Sequence, residues 1–356
     1  MIEENARNPP VQGGQPAVKK PLLLIVYGLV TGLFLLFFWY YGIRDDKRND
    51  WNENPIGLMG DIGEKYVLVT FQSDLDYWRS IMKGFEDAAQ VLNVSVEFRG
   101  ASQYDANEEI TVLEQVIARN PAGIAVTAIN PEALNATIDK AVDAGIPIVL
   151  FDSGAPGSRA HSFLGTDNYS AGAKAARELG RLLSGQGEAA VLTQPKQLNH
   201  QERTKGFVET IQQEFPGIQV VEIADGKGSV QGSAQAAKTL LESHPEIDGF
   251  FATQANGGVG IGQTLQARDL AGKRVVIGFD TDKGTLDMVK DGTINATLAQ
   301  GTWNMGYWSL IELFHQNHDL VQPNSEDMNG AHPLPPFIDT GITIVTKDNV
   351  DNYYAK

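Results

Sequence analysis

Two short apolar runs in this 356-residue chain stop at a carboxylate: Ile148-Val149-Leu150-Phe151-Asp152-Ser153 and Val275-Val276-Ile277-Gly278-Phe279-Asp280-Thr281-Asp282. A brief apolar run that follows a helical segment and halts at an acid reads as a buried parallel strand. Open α/β sheets place their ligand-binding groups beyond the carboxyl ends of such strands. Asp152 and Asp280 are therefore expected to present acceptors from two separate sheets. Strand-end carboxylates accept from ligand hydroxyls, work as a general acid/base pair, or simply cap the loop or helix that follows. Spacing along the chain sets neither their separation nor their proton affinity, so these uses stay open at this point.

The elements that would position them are legible as two series. From Lys65 onward, strands are predicted over Tyr66–Phe71, Val94–Phe98, Gly123–Thr127 and Pro147–Phe151, with helices over Ser80–Leu92, Asn107–Ala118 and Pro131–Ala144 between them. Ile81, Phe85, Ala88, Ala89 and Leu92 recur at helical steps and mark one buried face. Asn130-Pro131 supplies an N-cap followed by proline at the first helical position, and Gly145 closes that helix. After Asn168 a second series follows, with helices over Ala171–Leu183, Glu202–Glu214, Gln231–Ser243 and Gly257–Gln266. Its strands are predicted over Glu188–Leu192, Ile218–Ile223, Gly249–Ala252 and Arg274–Gly278. The fold class is α/β, with two doubly wound parallel-sheet lobes.

Upstream, Pro21 to Ile43 carries no charge and ends in Trp39, Tyr40 and Tyr41, rings expected at a membrane surface. The run is long enough to cross a ~30 Å hydrocarbon core as one N-terminal transmembrane helix. A cleaved signal segment is the competing reading, because Lys19-Lys20 precedes the run. Small residues in an A-x-A arrangement do not follow it, which favours an uncleaved anchor. Residues 1–20 then form a disordered tail, 21–43 the anchor and 44–63 a linker. Basic residues flank both ends (Arg7, Lys19 and Lys20 against Arg44, Lys47 and Arg48), so orientation must come from the function of the large domain.

Composition and failed motifs remove several function classes. The net charge of −16 supplies no clustered basic surface, so no nucleic-acid partner is expected. Cysteine is absent, which removes disulfides, thiolate metal sites and a cysteine nucleophile. Asp225-Gly226-Lys227-Gly228-Ser229 does not satisfy the phosphate-loop spacing, and Gly257 to Gly262 lacks the dinucleotide spacing. Glu312, His315 and His318 share a helix side, but polar side chains meeting solvent at a helix end account for them better than a metal does. No cofactor or metal is expected, and no nucleophile elbow is present.

Landmarks along the chain carry a family likeness. In order they are Tyr77-Trp78, Ile146 to Asp152, Gly165-Thr166-Asp167-Asn168, Gln201 to Phe207, Gly278-Phe279-Asp280 and Thr297-Leu298-Ala299-Gln300. From about Lys65 to the C-terminus the chain resembles the ribose-type periplasmic sugar-binding proteins of ABC importers, the type 1 periplasmic-binding fold. The resemblance implies a three-strand hinge, with lobe one holding 64–166 plus 301–340 and lobe two 167–300 plus 341–356. It also implies a sugar between the lobes. Sugar hydroxyls call for strong acceptors and fixed donors, which makes Asp152, Arg203, Gln254, Asp280 and Gln300 the polar set. Tyr77 and Trp78 are expected to stack on the C–H face, with Asp74 and Asp76 beside them. Each has a plainer account: Asp74 as a helix cap, Arg203 as a surface partner of Glu202, and the aromatic pair as core.

One departure bears on specificity. Relatives place an aromatic between two aspartates where this chain reads Ala224-Asp225-Gly226-Lys227-Gly228-Ser229, so one wall of the sugar sandwich is expected to be missing. The ligand class then includes a pentose other than ribose, a hexose, a polyol or a furanosyl signal molecule. The resemblance implies a membrane-anchored receptor on the extracytoplasmic face, in the periplasm or at the cell surface. It would capture a monosaccharide and pass it to an ABC permease. A sensor that passes lobe closure to a signalling partner, and a carbohydrate-active enzyme using Asp152 and Asp280, are the alternatives.

Overall fold

Tyr66, Val67, Leu68 and Val69 are all at most 4 % exposed, so both faces of this run are covered, as a central parallel strand requires. It belongs to β1 (Lys65–Thr70), at the switch point of the first of two six-stranded sheets. The protein is seen in a computed structural model that describes residues 25, 27–37, 58–320 and 335–354. The first sheet runs β11-β5-β4-β3-β1-β2, adding β2 (Ser95–Gly100), β3 (Gly123–Val126), β4 (Ile148–Phe151), β5 (Phe163–Gly165) and β11 (Phe337–Asp339). All of its pairings are parallel. Helices α1 (Trp78–Leu92), α2 (Ala106–Ile117) and α3 (Pro131–Asp143) make its crossovers.

The second sheet repeats the order of the first. It runs β12-β10-β9-β8-β6-β7, from β6 (Gln186–Thr193), β7 (Gly217–Asp225), β8 (Ile247–Ala252), β9 (Val275–Phe279), β10 (Ala296–Gln300) and β12 (Ile342–Thr346). Only β12 is antiparallel, against β10. Helices α4 (Asn168–Leu182), α5 (Leu198–Glu214), α6 (Val230–Ser243), α7 (Ala255–Ala267) and α8 (Lys283–Asp291) cover it, with separate apolar clusters on its two faces. The chain passes between sheets at Gly165 to Asn168, Gln300 to Thr302 and Asp339 to Ile342. Helix α9 (Thr302–Asn317) packs back on α1 after the second passage. The fold is thus the two-lobed α/β architecture expected.

The predicted elements hold with shifts of a few residues at their ends: the second strand begins at Ser95 rather than Val94, and the first helix at Trp78 rather than Ser80. The strands β5, β10, β11 and β12 and the helices α8 and α9 were not assigned from periodicity. Strands β5 and β11 are three residues long, too short to carry a pattern, and pair only through their neighbours in the sheet.

The expected N-terminal segments lie largely outside the described residues: the tail 1–20 wholly, and the linker 44–63 except for residues 58–63. Of the apolar run 21–43, residues 27–37 are helical and expose Leu29, Val30, Leu33 and Leu36. Among the described residues no helix is long and apolar enough to cross a membrane. The two ends of the run lie outside them.

Candidate functional site

Asp152 and Asp280 follow the last residues of β4 and β9, and both take a left-handed backbone, at φ 59° and 66°. In each case the backbone N–H stays on the sheet: Asp152 donates to Leu164 O at 3.1 Å, and Asp280 to Leu298 O at 2.8 Å. A non-glycine residue at positive φ is uncommon, and aspartate tolerates it better than most. The same local turn thus ends the corresponding strand of each lobe. Both side chains line one cleft of about 900 Å3.

Arg203, on α5, lines the same cleft within electrostatic reach of both acids and is 1 % exposed. Its helix is seated by a glycine contact: a Cβ on Gly172 of α4 would lie 2.0 Å from Arg203 O, and one on Gly206 would lie 2.0 Å from Tyr169 O. The guanidinium donates from Nε to Asn168 Oδ1 at 2.8 Å, from Nη1 to Thr253 O at 2.9 Å and from Nη2 to Gln300 Oε1 at 3.0 Å. Its carbon sits 3.8 Å from the centroid of the Phe279 ring. These contacts leave each terminal nitrogen with a further N–H for a ligand. Burial pulls the guanidinium pKa down, against the charges of Asp280 and Asp152, and arginine stays protonated throughout.

Each carboxylate has one oxygen held by protein. Asp152 Oδ1 accepts from the Tyr77 hydroxyl at 2.5 Å, and Asp280 Oδ1 accepts from Gln300 Nε2 at 2.8 Å. Thr127 Oγ1 is 3.4 Å from Asp152 Oδ2, long for an O–H donor. Burial pushes both acids up, and Asp280 reaches about 7, with Arg203 and Gln300 opposing the shift and Asp152 adding to it. Burial, with Asp152 and Asp280 nearby, holds the Tyr77 phenol well above its ordinary value, so it remains a donor.

Gln300 ties the set together. Its Oε1 accepts from Thr166 Oγ1 at 2.7 Å and from Arg203, and its Nε2 donates to Tyr77 Oη at 3.1 Å and to Asp280. Gln254 is also buried: Nε2 donates to Ser233 Oγ at 3.0 Å, while Oε1 has no partner. Ser233 spends its own proton on Gly226 O, which fixes the orientation of the Gln254 amide.

The other sequence candidates line the same cleft in different ways. Asp74 and Asp76 are exposed at its margin, and Asp76 pairs with Arg79 at 2.9 Å. Trp78 is 1 % exposed, packed edge-on against Phe71, Tyr77 and Phe151, and donates Nε1 to Gln72 O at 3.1 Å. It is a packing residue of the wall, and Tyr77 carries the ring nearer the polar set. His200 and Tyr104 also line the cleft and were not picked out from sequence. His200 bonds Thr253 Oγ1 through Nδ1 at 3.0 Å, and burial beside Arg203 keeps its imidazole neutral. Tyr104 packs edge-on against Phe71, and burial together with the charges of Glu109 and Asp225 raises its phenol. The charge of Asp225, at the start of the Asp225 to Ser229 segment, reaches its phenol. No sequence signal marks either residue, since both sit in loops or first turns whose convergence depends on strand order.

Among the described residues no cluster of acids and histidines could hold a metal ion. The arrangement is suited to hydroxyl recognition: two carboxylates with open oxygens, one guanidinium with spare donors and one buried amide oxygen, beside aromatic rings.

Comparison with known proteins agrees with this geometry. A sugar-binding protein of a sugar ABC transporter from Bacillus halodurans superposes with a TM-score of 0.78 at 61 % identity, covering 82 % of this chain and 100 % of that one. An arabinose-binding protein from Geobacillus stearothermophilus gives 0.75 at 61 % identity, covering 82 % and 99 %. The xylose/arabinose-binding protein of Sulfolobus acidocaldarius is 24 % identical over 307 residues, covering 81 % of this chain and 72 % of the relative. The resemblance read from the ordered landmarks therefore holds. Residues 65–314 match the model of the periplasmic binding protein domain, and the chain belongs to that family, one of substrate-binding proteins and not of enzymes.

Proposed function

We propose that this protein is a membrane-tethered extracytoplasmic receptor that closes two lobes on a neutral monosaccharide, arabinose first among the candidates, and delivers it to an ABC permease. The observation that carries the reading is the pair Asp152 and Asp280, on equivalent strand ends of the two sheets, with Arg203 buried in the same cleft. Asp152, Asp280 and Arg203 bond the ring hydroxyls, Gln254 Oε1 accepts one more, and Tyr77 stacks on the C–H face. Gln300 positions these groups. Hinge closure between 64–166 plus 301–340 and 167–300 plus 341–356 buries the ligand and forms the surface that the permease reads. The named ligands of similar proteins, arabinose in the Geobacillus protein and D-arabinose in the 29 % identical Burkholderia graminis protein, support the pentose choice.

The tether is the apolar run 21–43, whose helical residues 27–37 expose Leu29, Val30, Leu33, Phe34 and Leu36. A permanent tether also suits a second reading, in which a signalling partner in the membrane senses lobe closure.

A thermal-shift screen of the full chain in detergent against pentoses, hexoses, polyols and furanosyl compounds tests the ligand class. A ligand at ~100 times its dissociation constant adds roughly 2.7 kcal/mol of stability. One sugar that raises the melt, is recovered unchanged and loses its effect in Asp152→Ala or Arg203→Ala supports the receptor. No shift with any sugar removes the sugar reading. Uptake of the hit by cells with and without the gene separates import from signalling.

A further inference from the structure

Thr253, fully buried just past the end of β8, holds two cleft residues of α5 at once. Its carbonyl accepts from Arg203 Nη1 at 2.9 Å, and its Oγ1 bonds His200 Nδ1 at 3.0 Å. His200 stands three residues before Arg203 on that helix, so the two side chains share one face and line the cleft together. The Thr253 hydroxyl has a single proton, which goes to Thr193 Oγ1 at 3.2 Å. Toward His200 it can therefore only accept, and Nδ1 is the protonated nitrogen of the ring. Nε2 is left as a bare acceptor. It has no hydrogen bond among the described residues and is not one of the unpaired side-chain atoms sealed from solvent, so it opens to the cleft that His200 lines. Burial and the Arg203 cation both oppose a second proton on the ring.

We propose that His200 is a specificity-determining residue that contacts the captured pentose: its Nε2 accepts a hydrogen bond from one sugar hydroxyl. The proposal rests on the sugar-capture reading above. A carboxylate accepts along several directions, whereas the imidazole offers one lone pair in the plane of its ring. Thr253 fixes that plane, and with 6 % of His200 exposed the ring has little room to turn. A sugar that brings no O–H to this point leaves Nε2 without a partner once the lobes close over it, and an unpaired buried polar group is costly. Thr253 is the positioning residue, since it sets both the tautomer of His200 and one bond of Arg203.

The test is nitrogen NMR of the full chain in detergent, isotopically labelled at its histidines and titrated with L-arabinose and with D-arabinose. Calorimetry on the same sample reports binding, and the His200 signals are assigned by their absence in His200→Phe or His200→Gln. Without sugar, His200 is expected to be protonated at Nδ1 alone. At saturation its bare Nε2 signal should move upfield, as acceptance of a hydrogen bond requires. His200→Phe should bind the sugar about tenfold more weakly, the scale of one hydrogen bond. Thr253→Val keeps the carbonyl for Arg203 and should mix the two tautomers of His200. An Nε2 signal that stays in place while calorimetry shows arabinose bound overturns the proposal and leaves the receptor reading intact, and so does a ring protonated at both nitrogens. Failure of both arabinoses to bind overturns the pentose choice and the proposal with it. A chain that binds no sugar in the wider screen overturns the receptor reading itself.

Discussion

Gln300 Oε1 accepts from Arg203 Nη2 at 3.0 Å, and with that bond the Gln300 amide has no hydrogen-bonding capacity left over. Its two acceptor positions hold Thr166 and Arg203, and its two protons go to Tyr77 and Asp280. A residue in this state orients others and has nothing to offer a ligand without breaking a bond. Its partners belong to both lobes, and it sits at the end of β10, where the chain leaves the second sheet.

Gln300→Leu should therefore act on the protein before it acts on the ligand. Removing the amide strands buried donors and acceptors, at about 1–3 kcal/mol for a group left unpaired. A fall in the ligand-free melting temperature is expected together with weaker sugar binding. A variant with wild-type melting and weakened binding would show instead that Gln300 contacts the ligand directly.

Asp280 ought to make ligand affinity depend on pH. Its carboxyl is pushed up to about 7 by burial, and only the ionised form offers both oxygens as acceptors. Affinity should fall as pH drops below about 7. Asp280→Asn should bind about tenfold to a hundredfold more weakly, the worth of a hydrogen bond to a charged group, and lose that pH dependence. Titrations at several pH values decide it; a flat wild-type profile would mean that Asp280 stays in one state.

Glu109 gives a stability prediction away from the polar set. It is fully buried on α2, one oxygen accepts from Ile129 N–H at 3.1 Å, the other has no partner, and burial pushes its pKa up to about 8. The folded state binds this proton more tightly than the unfolded chain does. Stability from this group is thus fully present at low pH and is lost as pH rises through about 8. Glu109→Gln keeps an acceptor for Ile129 and cannot ionise. Urea melts should show wild type losing stability relative to the variant as pH rises from about 4 to about 8, with no further loss above that; parallel pH profiles would contradict the assignment.

Gly172→Ala tests how Arg203 is held. The added methyl would meet Arg203 O at 2.0 Å, a backbone atom that cannot swing aside, so α4 and α5 must separate. Overpacking of this kind costs about 1–3 kcal/mol. Because α5 carries Arg203, sugar affinity should fall along with the melting temperature. An unchanged affinity would show that Arg203 does not depend on the helix contact.

The parts of this protein legible in the chain are those governed by local rules. Ile148 to Phe151 and Val276 to Phe279 read as buried strands because apolar residues covered on both faces leave no alternation, and the acid after each marks the strand end. Asn130-Pro131 and Gly145 bounded a helix for equally local reasons, and Asn130 Oδ1 does accept from Ala133 N–H at 3.1 Å. The strands β5, β10, β11 and β12 escaped, since a three-residue strand such as Phe163–Gly165 exists only through its neighbours. Tyr104 and His200 escaped because loops far apart in sequence meet only when the sheet order is known.

By itself the sequence determined the buried face of the first helix, the central strands and their ends, that two equivalent series exist, and that an acid closes one strand in each. Periodicity and backbone preference act over a few residues, so they are written in the chain. Only the tertiary structure decided that Tyr77 and Gln300 take up one oxygen of each acid, that burial lifts Asp280 to about 7, and that Trp78 packs into the wall while Tyr77 meets the polar set. Those properties depend on distances between segments 20 to 223 residues apart and on the exclusion of water between them, which no local pattern encodes.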